Sequence, residues 1–207
     1  MGYHLATLQT PLVIRDAKVI TDMADACLFA AWSTSENKAL ITDLAEQEFK
    51  QGAKWKTIHA LIEGGFIEVT DCAEMEMASL VKTRNTHGVN IVDASIIFLC
   101  KEKSGIILTE DPKLQASCLQ ESVSCAEILW VFDHLLHTKK LQFSAALEGL
   151  NTLTSRGSRL QIEEVQKRME AWTQQVALPP MPTPSGLNGS HNKRKAKNPA
   201  KTNSPEI

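Results

Sequence analysis

Residues 91–115 read "IVDASIIFLCKEKSGIILTEDPKLQ". The first part is apolar nearly all round and carries Asp93 in what would be its first turn, which predicts a helix over "IVDASIIFLCKEK". "GIILT" then predicts a strand, and "PKLQASCLQES" a second helix with Pro112 in its opening turn. Between strand and helix the apolar run stops abruptly at Thr109, Glu110 and Asp111. Asp-Pro starts many turns, which is one reason for acids here. The other is a site at the strand's carboxyl end, where open α/β sheets place their ligands.

The same alternation extends upstream. "PLVIRDA", "KALIT" and "FIEVTD" read as strands, and "DMADACLFAAW", "DLAEQEFK", "KWKTIHALIEG" and "AEMEMASLVKTR" as helices, with Gly64 and Gly65 as a stop. "VSC" adds a short strand downstream. The pattern predicts an α/β fold with a mostly parallel sheet covered by helices on both faces. "AEILWVFDHLLHTKK", "SAALEGLNTLTSRG" and "QIEEVQKRMEAWTQQ" follow as a C-terminal helical extension over about 126–175, packed on the sheet domain or against another chain. Residues 176–207 hold six of the eight prolines, the basic run "KRKAK" and almost no large apolar side chains, which predicts a disordered basic tail.

At 207 residues and 43% hydrophobic, the chain can bury one sizeable core. Its five cysteines are odd in number and form no C-x-x-C pair, so they read as reduced core thiols rather than a zinc site or disulfide frame. The opening residues lack the basic and apolar regions of a signal peptide, and Ala6 breaks the myristoylation pattern. "VNIVDASIIFLC" is too short to span a bilayer and contains Asp93. The expected location is therefore cytoplasmic, with no membrane contact. Residues 1–175 hold 17 Lys and Arg against 23 Asp and Glu, so any binding to phosphates must be local or metal-assisted.

Four acids lie next to element ends or the sheet's edge: Asp16 after the strand "LVI", Glu48 on the helix after the second strand, Asp93, and Asp111. Singly, each has a plain role as a turn starter, helix cap or solvated side chain. With parallel strands, Asp16 and Asp111 share the sheet's carboxyl edge, and the helix turn holding Asp93 can face the same cleft. Carboxylates gathered there repel one another unless a cation neutralises them. Hard Mg²⁺ or Mn²⁺ suits such oxygen donors and supports phosphodiester hydrolysis.

On these residues the sequence resembles the PIN-domain family, and more closely its short prokaryotic toxin-like branch with a helical C-terminal extension. "LVIRDAKVITDMADACL" looks like the family's opening strand, first acid and helix, and "ALITDLAEQEF" like its second strand and the helix bearing the second acid. "HGVNIVDASIIFLCKEKSGIILTEDPKLQ" looks like its acid-led helix, apolar strand and T-x-D turn. The resemblance implies a three-layer α/β/α sandwich, a Mg²⁺- or Mn²⁺-dependent ribonuclease acting on RNA, and a cognate antitoxin that occludes the cleft. It assigns the metal to Asp16, Glu48, Asp93 and Asp111, and a supporting hydroxyl to Thr109.

Two cations depart from the family's pattern. Lys18 stands where a small polar residue commonly supports the first acid, and it would compete with a metal or contact a phosphate. Arg15 precedes Asp16, although strand alternation points it to the opposite face. A catalytically degenerate module that contacts RNA or protein is the alternative. A Rossmann-like nucleotide binder ranks lower, because no Gly-rich loop follows "LVIRDA".

Lys82, Arg84 and His87 could steer RNA but fit a solvated helix end better. His134 and His137 have metal-binding spacing without a third ligand, which predicts a surface or interface role, and the scattered Trp32, Trp55, Trp130 and Trp172 argue for packing. The stripe Ile128, Leu129, Val131, Phe132, Leu135 and Leu136 should be mostly core. Any residual patch would serve a homodimer or an antitoxin segment, and the sequence does not divide the two.

Overall fold

The computed structural model describes residues 10–34, 37–72, 77–158 and 160–177. The N-terminal residues read for export and acylation signals, residues 73–76 of the expected "AEMEMASLVKTR" helix and the basic tail from 178 lie outside the described residues.

The strands are short: β1 (Leu12–Ile14), β2 (Ala39–Thr42), β3 (Glu68–Thr70), β4 (Ile106–Leu108) and β5 (Cys125–Ala126). They form one sheet in the order β3-β2-β1-β4-β5, and every pairing is parallel. The helices are α1 (Ala17–Asp25), α2 (Leu28–Ser33), α3 (Asp43–Lys50), α4 (Trp55–Glu63), α5 (Met77–His87), α6 (Ile91–Lys103), α7 (Pro112–Gln120), α8 (Ile128–His137), α9 (Phe143–Ser155) and α10 (Ile162–Ala177).

Continuous apolar runs suit strands covered on both faces, and β1, β2 and β4 are buried along their whole length. Helix α6 lies across β1, β2 and β4, which explains why it is apolar nearly all round, and α3 and α5 pack against it. Helix α1 gathers α2, α4, α8 and α9, with α10 on α9, so the three C-terminal helices pack within the chain. Ile128, Leu129, Val131, Phe132 and Leu135 are all buried there. Among the described residues no helix is long and apolar enough to cross a membrane.

The sheet order creates a crevice. The chain runs outward from β1 through β2 and β3, then returns to place β4 on the other side of β1. Connections leave in opposite directions at that point, and the carboxyl ends of the two central strands are left open. The register pairs Ile14 with Leu108, so the segments beginning at Arg15 and Thr109 leave the sheet side by side. A close approach fixes the entry to β4: a Cβ on Gly105 would stand 2.9 Å from the Pro11 carbonyl oxygen.

One element departs from the sequence pattern. "DMADACLFAAW" predicts a single helix, whereas the chain breaks between α1 and α2 at Cys27, whose φ is +56°. A tertiary contact accompanies the break. Gly149 of α9 comes so close to the break that a Cβ there would stand 3.1 Å from the Ala26 carbonyl oxygen.

Candidate functional site

The end of β1 delivers Asp16 to the N-cap position of α1, yet its side chain makes no capping bond. Instead Oδ2 accepts hydrogen bonds from the Thr109 hydroxyl at 2.7 Å and from the Glu110 amide at 3.0 Å. Thr109 is fully buried just beyond β4, and its Oγ1 also accepts from the Asp111 amide at 3.1 Å. One hydroxyl therefore joins the two strand ends. Asp111 does cap α7, its Oδ1 accepting from the Lys113 amide at 2.9 Å, so the plain reading of Asp-Pro holds beside its place in the cleft.

Asp16 and Asp111, with Ala17, Lys18 and Glu110, line a cavity of about 450 Å³. Burial, followed by the charge of Asp22, raises the pKa of Glu110, with Lys18 opposing and Asp16 and Glu127 adding to the rise. Such a shift marks first a carboxyl drawn partly out of water, and second its acidic neighbours.

The other two acids come from α3 and α6. Thr42 fixes both helices: its Oγ1 accepts from the Ala45 amide at 3.2 Å as the N-cap of α3, and it lies 3.0 Å from Ser95 Oγ of α6. Asn90 caps α6 by accepting from the Asp93 amide at 2.7 Å. Asp93 is buried and Glu48 is half exposed. Both are held by the Arg15 guanidinium. Arg15 Nε donates to Asp93 Oδ1 at 2.5 Å, and Nη2 donates to Glu48 Oε2 at 3.1 Å. Burial lowers the Arg15 pKa. The hydrogen bond and charge of Asp93, with the charges of Glu48 and Asp16, outweigh it, so the net shift is upward.

This corrects the expected direction of Arg15. Alternation governs a side chain only inside a strand, and β1 ends at Ile14. The Arg15 amide still reaches the Leu108 carbonyl at 3.3 Å, but the chain is already turning into α1, and the side chain follows the two carboxylates. Lys18 also goes elsewhere than expected. It lines the cavity, but its ammonium pairs with Asp22 one turn along α1 and donates to Ser158 Oγ at 2.9 Å.

The donor set, carboxylate oxygens with a hydroxyl behind them, suits hard Mg²⁺ or Mn²⁺. Among the described residues, however, no group of three or more His, Cys, Asp or Glu side chains stands close enough to hold a metal ion. The four predicted acids are not brought into one cluster. Asp16 and Asp111 line one cavity, and two carboxylates are the donor set of an ion that keeps most of its water, as Mg²⁺ usually does. Glu48 and Asp93 do not fit one while Arg15 holds them.

Residues that sequence reasoning passed over complete the cleft's rim. Lys54 donates to Thr21 Oγ1 at 3.0 Å and lines two cavities, one with Arg15, Asp16 and Glu48 and one with Lys18 and Arg156. The i, i+4 spacing of Lys18 and Asp22 was a signal for their pair. Nothing local marks Lys54. Elsewhere the packing reading of the tryptophans holds, Trp172 lying on Phe132, but two histidines depart from expectation: His134 is buried and stacks on Trp130 with centroids 4.9 Å apart, and His87 is held by Gln120 and Glu121 instead of being solvated.

A family model described as a PIN domain matches residues 12–174 of the chain. Among solved structures, the crystal structure of PAE2754 from Pyrobaculum aerophilum is similar at 15% identity and a TM-score of 0.46, over 65% of this chain and 94% of that one. No curated protein matches.

Proposed function

The chain belongs to the PIN-domain family, whose members are generally nucleases, and on that premise we propose that it is a Mg²⁺- or Mn²⁺-dependent endoribonuclease. The observation that carries this reading is the Thr109 hydroxyl bound to both Asp16 and the Asp111 amide at the sheet's switch point. It ties the Asp16 carboxylate to the backbone of Asp111 at the edge where open parallel sheets bind ligands.

Asp16 and Asp111 would hold the ion, with Thr109 keeping the Asp16 carboxylate oriented. When bound, the ion supplies a water of lowered pKa and neutralises charge on the phosphoryl oxygens. Lys54 at the rim would meet phosphate oxygens of the strand, and Lys18 would do so only by leaving Asp22 and Ser158. Arg15 orders Glu48 and Asp93 at the far wall.

Cleavage of single-stranded RNA, with and without Mg²⁺ or Mn²⁺, tests the reading. Metal-dependent cleavage should fall by at least about 100-fold in Asp16→Asn, because the ion loses a charged ligand. Unchanged cleavage in that variant would refute the assignment. The ion pairs of Arg15 favour a second reading, a PIN-like module that contacts RNA or protein without hydrolysis, and absence of both metal uptake and cleavage would select it.

The toxin role, with a cytoplasmic location and a cognate antitoxin over the cleft, rests on the likeness of the chain to the family's short toxin-like branch with a helical C-terminal extension. Growth arrest on expression, relieved by a small protein encoded beside this one, is the expected result.

A further inference from the structure

Arg15 bridges two of the four candidate acids. Its guanidinium spans Asp93 at 2.5 Å and Glu48 at 3.1 Å, and the Arg15 and Asp93 side chains are only 11% and 12% exposed. A planar fork between two carboxylates satisfies both their charge and their hydrogen bonds, which a point charge does less well. A divalent ion entering that space would have to expel the fork and desolvate the same carboxylates again. On the opposite flank the arrangement differs: among the described residues neither Asp16 nor Asp111 has an ion pair, and the nearby Lys18 is turned to Asp22 and Ser158.

We infer that Arg15 is a built-in counter-ion that reserves Glu48 and Asp93 and confines the protein to a single divalent ion, held at Asp16 and Asp111. The inference rests on the metal-dependent reading above and sets its stoichiometry. Arg15 is then a positioning residue: it touches the acids of the far wall and reaches the ion only through their charge.

The test is Mn²⁺ binding to the full chain, counted by calorimetry and by electron paramagnetic resonance of free Mn²⁺, with circular dichroism to verify folding. The wild type should take up one equivalent, Arg15→Gln two, and Arg15→Lys one. Two equivalents in the wild type, or one in Arg15→Gln, would overturn the inference while leaving a metal-dependent enzyme in place. No uptake by any of the three overturns the metal-dependent reading itself. Should Arg15→Gln fail to fold, Glu48→Gln decides, because Glu48 is half exposed. Its Mn²⁺ affinity should stay within about twofold of wild type, since the inference makes Glu48 no ligand, and a loss of tenfold or more would count against it.

Discussion

On the β1–β4 side of the cleft, Asp16 and Asp111 are held by a hydroxyl and by backbone amides, whereas on the α3–α6 side Glu48 and Asp93 share a guanidinium. The residue types are the same, and the holding groups make the difference. Neutral donors orient a carboxylate and leave its charge available, while a guanidinium orients and cancels it together. Four acids around a parallel sheet's edge are thus a statement about composition. How many of them can serve an ion depends on which neighbour reaches each one first.

The contrast breaks most readily at Asp93. In metal-free buffer Asp93→Asn should lower stability by about 3 kcal/mol in urea unfolding, because it leaves a mostly buried guanidinium with only the half-exposed Glu48 as counter-charge. A loss well under 1 kcal/mol would mean that the guanidinium is not committed to that side. On the opposite flank, Thr109→Val should cost about 1–2 kcal/mol by removing a fully buried hydroxyl that both donates and accepts. Mn²⁺ affinity should fall about tenfold with it, since the Asp16 carboxylate loses its support. Unchanged affinity would detach Thr109 from the site. The smallest effect belongs to Glu48→Gln, where half exposure lets water screen the pair, so stability should change by less than about 1 kcal/mol. Together the three values measure how unevenly charge is compensated across one cleft.

Much of the architecture was legible because its signals are local. "LVI", "ALIT" and "IIL" are unbroken apolar runs, and the strands fall within them. Pro112 and the capping acid before it marked the start of α7, and the all-round apolar α6 announced a helix pressed on a sheet. The break at Cys27 was not legible, because no glycine or proline stands there and the close approach of Gly149, far along the chain, accompanies it. The candidate acids could be named from their places beside strand and helix ends. Their grouping could not.

The sequence by itself determined the element order, the parallel sheet and the delivery of acids to its carboxyl edge, since hydrophobic period and helix signals act over a few residues. Only the tertiary structure decided that Arg15 faces Glu48 and Asp93, that Lys18 turns to Asp22, and that one Thr109 hydroxyl links the two central strand ends. Beyond the end of a strand no period dictates where a side chain points. There a long cation goes to the charge that folding brings within reach, and Arg15 and Asp93 are 78 residues apart in the chain.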